Sequence, residues 1–290
     1  PIYEQRIEPY EVIDFSANIN PLGPSQRGLD ALNDQLRYIS HYPDATNDDV
    51  LNAIADTYGM DKNQIIVGNG AAELLYAICR LPGYTGAFVP APGFSEYKEA
   101  LEASNIPVRD IFYRPREDDN RKPYFEVPYL ALETFAAELK GQDGRIIVFL
   151  GNPNNPDGTL LDKAHIRTVA SMLKDANSLL VIDESFIDFV GNEPLRDNDQ
   201  SMRSLINEFD NIIIVHSFTK FYAVPGLRIG AAFGNEKLIS QLHQYIPSWS
   251  VNTLAQAYTK AALNDVDYIK RTKQELNEER AFMYNALDDI

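Results

Sequence analysis

Short β-branched and aliphatic runs recur along the chain, and the segments between them carry helical periodicity. That alternation constrains the fold more than any other feature. The strand candidates are Gln64–Val67, Gly86–Pro90, Val108–Phe112, Arg145–Leu150, Leu179–Ile182, Ile212–His216 and Arg228–Phe233. Several are unbroken apolar runs, which suits strands covered on both faces. The spacing between them predicts helices over Ala71–Arg80, Glu96–Ser104, Tyr129–Leu139, Lys163–Asp175 and Glu236–Tyr245. The expectation is an α/β fold with a mostly parallel central sheet flanked by helices. Arg114–Lys122, charged and containing proline, reads as a solvated connection. From Asn252 to Ile290 the pattern is helical and reads as one long helix.

Sheets of this kind bind ligands at the carboxyl ends of their strands. Four polar motifs fall there: Gly68-Asn69-Gly70, Gly151-Asn152-Pro153, Asp183-Glu184 and Ser217. Their convergence argues for a single site. After the first, a helix begins, and the free amides of Gly70, Ala71 and Ala72 can bind a phosphate. Asp183 closes an apolar run, where a carboxylate needs a cation to answer it.

The most telling segment is Ser217-Phe218-Thr219-Lys220, followed by Pro225-Gly226-Leu227-Arg228-Ile229-Gly230. It sets a hydroxyl three residues before a lysine and an arginine eight after it. A lysine that attaches covalently to a phosphorylated aldehyde needs that company: Ser217 and Arg228 for the phosphate, Lys220 for the carbonyl carbon. S-x-x-K alone also occurs in acyl-transfer enzymes. The extended string resembles the lysine segment of the pyridoxal-phosphate (PLP) enzymes of aminotransferase class I/II.

The resemblance implies PLP-dependent transferase fold type I and assigns further roles. Asn155, in Gly151-Asn152-Pro153-Asn154-Asn155-Pro156-Asp157-Gly158, would donate to the ring's phenolic oxygen and lie near the substrate carboxylate. Asp157 stands where threonine is usual. Asp183 would pair with the pyridine nitrogen, and Phe94 would stack on the ring. Tyr42 would reach a neighbouring subunit's cofactor phosphate, which implies a homodimer. The catalytic set is then Lys220, Asp183 and Asn155. The amino-terminal segment would cover the site mouth, so Ser16, Asn20 and Gly23 join Asn155 as candidate substrate contacts.

Within the class, Asp14–Pro24, Asp183–Phe189, Thr219–Gly226 and Trp249–Asn252 resemble the threonine-phosphate decarboxylases of cobalamin biosynthesis, which are close to histidinol-phosphate aminotransferases. Phe186 stands where most aminotransferases of the class have tyrosine, and the decarboxylase resemblance accounts for it. The implied division is an amino-terminal arm with part of a small domain (1–45), a large PLP-binding domain (46–252), and a long helix (253–290) leading to a small domain largely missing here. The chain starts at Pro1 and ends within a helical pattern, which reads as a fragment, with the family's carboxylate-binding arginine expected beyond Ile290.

Composition removes other classes. The chain has 290 residues and a net charge of −16, which disfavours nucleic acid and anionic membranes. One cysteine, Cys79, permits no disulfide framework, and four scattered histidines lack metal-ligand spacing. No apolar run reaches the roughly 18 residues of a membrane span and no signal peptide is evident, so the chain reads as cytoplasmic. No G-x-G-x-x-G opens a helix after a strand, against a dinucleotide enzyme. The leading reading is decarboxylation of O-phospho-L-threonine. The alternatives are a histidinol-phosphate-type aminotransferase and a non-catalytic PLP-binding homologue.

Overall fold

A computed structural model of the protein describes residues 17–118, 123–138 and 144–287. Its strands are β1 Ile65–Gly68, β2 Tyr84–Ala91, β3 Val108–Phe112, β4 Arg114–Glu117, β5 Pro123–Glu126, β6 Arg145–Gly151, β7 Leu179–Asp183, β8 Ile212–Ser217 and β9 Gly230–Gly234. Its α-helices are α1 Gln26–Gln35, α2 Asp48–Tyr58, α3 Gly70–Cys79, α4 Glu96–Ala103, α5 Tyr129–Glu138, α6 Lys163–Asp175, α7 Phe218–Phe221, α8 Glu236–Leu242, α9 Thr253–Leu263 and α10 Val266–Leu287.

The central sheet runs β1-β9-β8-β7-β6-β2-β3. Pairing is parallel from β3 through β8, while β9 is antiparallel to both β8 and β1. Successive residues of the middle strands point to opposite faces. Val148, Leu150, Leu180, Ile182, Ile212 and Ile214 enter one core. Ile147, Phe149, Leu179, Val181, Ile213 and Val215 enter the other. With both faces covered, the strands can be apolar throughout. The helices follow local rules. In α6, Asp162 caps the amino terminus by accepting from the His165 amide, and Ile166, Val169, Ala170 and Leu173 form the buried stripe.

Three expectations need correction. Part of the presumed loop Arg114–Lys122 is strand: β4 pairs antiparallel with β5, and Arg116 bridges Glu126 across the ribbon at 2.9 Å. Its exposed charges hid that pairing. The single helix expected over 253–290 is two. Asn264 caps the end of α9, and the Asp265 carboxylate takes the Tyr268 amide (3.1 Å) and the Ser25 hydroxyl (2.6 Å), which starts α10 afresh. The last strand begins at Gly230 rather than Arg228, because Arg228 adopts φ +58°, which no strand permits. Ser16 and the start of the Asp14–Pro24 segment lie outside the described residues.

This topology brings the loops after β1, β2, β6, β7 and β8 to one edge of the sheet. The reversal of β9 returns Arg228 to that edge as well.

Candidate active site

A cavity of about 480 Å³ opens at that edge. One end is a cup for an anion. Ala71 and Ala72 of the first turn of α3 line it with Ser217, Thr219 and Arg228. The first amides of a helix have no partner within it, and an anion satisfies them. Gly70 sits at φ +81°, and a Cβ there would meet Arg228 Nη2 at 2.4 Å. A Cβ on Gly230 would meet the Ala71 nitrogen at 2.6 Å. Both glycines are therefore required for the first turn of α3, the arginine and β9 to close on one another. The Ser217 and Thr219 hydroxyls lie 2.8 Å apart. Arg228 holds a left-handed backbone, φ +58° and ψ 78°, a conformation costing about 1–3 kcal/mol. Among the described residues its guanidinium has one long hydrogen bond, to the Pro225 carbonyl at 3.5 Å, and no carboxylate partner.

At the other end is Asp183, 6 % exposed at the tip of β7. Its Oδ1 accepts from the Ser185 amide (2.9 Å) and hydroxyl (2.6 Å), and its Oδ2 accepts from the Tyr97 hydroxyl (2.9 Å). Burial, and then the Asp183 charge, drive the Tyr97 phenol well above its ordinary range, so it stays a neutral donor. The Tyr97 ring stacks on Phe149, and Phe94 stands edge-on against it at 5.6 Å.

Lys220 lies between the two ends. Burial, and secondly the Arg228 charge, hold its amine below the ordinary lysine range, with Asp183 opposing. Asn155 and Phe186 line the same cavity, together with Ala17 and Asn18 of the amino-terminal segment. Among the described residues neither the Lys220 amine nor the Asn155 amide has a hydrogen-bond partner. Behind the site, Glu184 is fully buried. It accepts from the Asn152 amide group (3.0 Å), the Met202 amide (2.6 Å) and the Ser201 hydroxyl (2.6 Å), joining the loops after β6 and β7.

The family described as Aminotransferase class I and II matches residues 10–290. The chain belongs to this family. A threonine-phosphate decarboxylase of Salmonella typhimurium is 33 % identical over 287 residues, covering 97 % of this chain and 72 % of its own. A histidinol-phosphate aminotransferase of Methanothermobacter thermautotrophicus is 32 % identical over 281 residues, with coverages of 96 % and 69 %. An adenosylcobalamin biosynthesis bifunctional protein of Leptospira interrogans is 34 % identical over 269 residues; the match takes in 92 % of this chain but only 29 % of that one. Among solved structures, a histidinol-phosphate aminotransferase from Clostridium acetobutylicum superposes with a TM-score of 0.82 at 24 % identity, over 96 % of this chain and 78 % of that one.

Aminotransferase class I/II enzymes use PLP, and the residues here fit that cofactor. The cup of amides, hydroxyls and guanidinium matches a phosphate, the buried carboxylate matches a ring nitrogen, and an unpartnered amine sits between them. Of the residues singled out from sequence, Ala71, Ala72, Phe94, Asn155, Asp183, Ser217, Lys220 and Arg228 line this cavity, and Gly70 packs behind it against Arg228. Three others do not. Tyr42 is 79 % exposed and stacks on Trp249 at 4.7 Å. The Gly23 carbonyl accepts from the Tyr268 hydroxyl. Asn20 is turned inward and 3 % exposed; its Nδ2 meets the Phe221 carbonyl, the Tyr268 hydroxyl and Thr272 Oγ1 at 2.8–2.9 Å. It has no donor left for a substrate. Sequence reasoning missed Tyr97, Ser185 and Thr219. Tyr97 had one available signal: its place three residues after Phe94, one helical turn on.

Proposed function

We propose that the protein decarboxylates O-phospho-L-threonine to 1-amino-2-propanol phosphate, with PLP held at Lys220. The observation that carries this reading is Phe186. It lines the cavity where most aminotransferases of the class place a tyrosine, and it offers no hydroxyl. Asn155 is then the side chain available to the ring's oxygen. Similarity to the Salmonella threonine-phosphate decarboxylase supports the same choice.

The residues divide the work as follows. The anion cup fixes the phosphate and so sets where the reactive carbonyl carbon lies. Lys220, kept below the ordinary lysine range, presents an uncharged amine for attachment at lower pH than a solvated lysine would. Asp183, immobilised by Tyr97 and Ser185, holds a proton on the ring nitrogen. PLP, when bound, supplies an electron sink for the carbanion left as CO2 departs. With the cofactor bound, the Lys220 amine would be the group placed to return a proton to Cα. Tyr42, exposed and outside its own cavity, suits a contact with a second copy in a homodimer. The cytoplasm is the compartment proposed for this reaction.

The test incubates the PLP-loaded protein with O-phospho-L-threonine and measures CO2 and keto acid. CO2 without keto acid is expected. Keto acid without CO2, given an amino acceptor, sinks the decarboxylase reading in favour of a histidinol-phosphate-type aminotransferase, which the Methanothermobacter similarity favours. No product, with a band near ~420 nm that borohydride abolishes, would mean a non-catalytic PLP-binding homologue.

A further inference from the structure

The helix that carries Lys220 is a single turn, Phe218–Phe221. It cannot satisfy its own last carbonyls. The chain leaves it through Ala223 at φ +53°, and the three residues at its end keep their carbonyls in the buried interior. Each finds a donor far away in sequence. The Lys220 carbonyl accepts from the Asn20 backbone amide at 3.1 Å, beside a local bond from the Ala223 amide at 3.3 Å. The Phe221 carbonyl accepts from Asn20 Nδ2 at 2.8 Å and lies 2.9 Å from the Tyr268 hydroxyl, whose proton it shares with the Gly23 carbonyl. The Tyr222 carbonyl accepts from the Tyr258 hydroxyl at 2.8 Å. Asn20, Tyr258 and Tyr268 are all buried. Asn20 Nδ2 also meets Tyr268 and Thr272 of α10, which ties Asn20 and Tyr268 into one cluster.

We propose that Asn20, seconded by Tyr268 and Tyr258, is a positioning residue for Lys220. The cluster is a remote carboxyl cap: it holds the backbone of a turn too short to hold itself, and thereby fixes where the ε-amine emerges. An unmet buried carbonyl is costly, so loss of the cap drives the turn to rearrange toward water. Asn20 acts on the reaction through Lys220 and not by touching substrate. The catalytic consequence rests on Lys220 being the cofactor lysine; the positioning itself does not.

The experiment measures Lys220 directly. Cofactor-free protein is labelled by reductive methylation across pH, and the Lys220 peptide is quantified by mass spectrometry. Asn20→Ala, Asn20→Asp and Tyr268→Phe are compared with Asn211→Ala. The Asn211 amide also joins two carbonyls, those of Ala170 and Ser178, but at the opposite end of β8. Loss of the side-chain bond to the Phe221 carbonyl loosens the turn and lets water reach the amine, so the labelling midpoint in Asn20→Ala should rise toward the ordinary lysine value. Asn20→Asp, which removes the donor at constant size, should do the same. Tyr268→Phe, which leaves Asn20 on the Phe221 carbonyl, should move it less. Asn211→Ala should lower the melting temperature with the midpoint unmoved. If Asn20→Ala and Tyr268→Phe lower the melting temperature but leave the Lys220 midpoint at the wild-type value, the proposal is wrong. Failure of wild-type protein to form a borohydride-trapped PLP adduct at Lys220 would instead sink the functional reading, and the labelling result would still judge the cap.

Discussion

Gly70→Ala separates the anion cup from general stability. Gly70 has φ +81°, and an alanine there costs about 1–2 kcal/mol in backbone strain. For a chain of this size that lowers the melting temperature by a few degrees. The added Cβ also falls 2.4 Å from Arg228 Nη2 and 2.9 Å from Cζ. Those atoms end a flexible side chain, so the overlap is relieved by Arg228 swinging away. The fold survives and the cup loses its guanidinium. A charge-assisted hydrogen bond is worth about 1.5–3 kcal/mol, so phosphate retention should weaken roughly 10- to 150-fold. Gly23→Ala is the comparator: φ is +71° but nothing lies within 4 Å, so it bears the backbone strain alone. The assay is titration of cofactor-free protein with PLP, followed by absorbance, beside thermal melts. Equal melting losses with weakened PLP binding only in Gly70→Ala is the expected result. If Gly70→Ala and Arg228→Ala both bind PLP as tightly as wild type, Arg228 does not hold the phosphate and the cup is misassigned.

Three further outcomes follow from the geometry. Tyr97→Phe keeps the ring packing but removes the donor to Asp183 Oδ2; turnover should fall about tenfold with KM unchanged, measured by steady-state kinetics. Arg228→Gln removes the second cause of the low Lys220 pKa, so the pH midpoint for PLP attachment should move up toward the ordinary lysine value yet stay below it, because burial remains; stopped-flow absorbance across pH checks this. Asp188 is buried, which alone would raise its pKa, but His216, Arg203 and the Tyr58 hydrogen bond outweigh burial and hold it below the ordinary aspartate value of 3.8. Its contribution is therefore complete above about pH 4 and lost as pH falls through the lower folded value. Asp188→Asn should cost about 3 kcal/mol at pH 7 and remove that acid-side slope, read by urea unfolding at several pH values.

Much of this site could be read from sequence because its parts sit where strands stop. A run of buried aliphatics announces a two-sided strand, and the first polar residue after it marks the ligand edge. Asp183, Ser217 and the amides after Gly68 were legible for that reason. Asn155, Phe94 and Phe186 were legible through resemblance, since a turn and two aromatics have many other uses. What stayed hidden depends on contacts distant in sequence. Asn20 stands next to a proline in a segment expected to cover the site mouth and touch substrate; only the packing of α10 against the Lys220 turn shows it buried. Tyr97 was not singled out, because its hydroxyl's partner lies 86 residues on. The β4–β5 ribbon offers only one short apolar pair, Pro115 opposite Phe125, among exposed charges, and the break before α10 is made by a single aspartate answering a serine 240 residues away.

The reversal of β9 has a consequence for how the site could be moved or divided. Ser217, Lys220 and Arg228 belong to one span of 12 residues, because an antiparallel return needs no crossover helix. Asp183 and Asn155 arrive on separate crossovers. The side chains of the phosphate-and-amine half are thus contiguous, and the amides of Ala71 and Ala72 reach them from the first turn of α3. The electron-withdrawing half is a property of the assembled sheet. A cut between β7 and β8 would leave Ser217, Lys220 and Arg228 on one fragment and Asn155, Asp183 and the α3 amides on the other, so the cup forms only when the two fragments recombine.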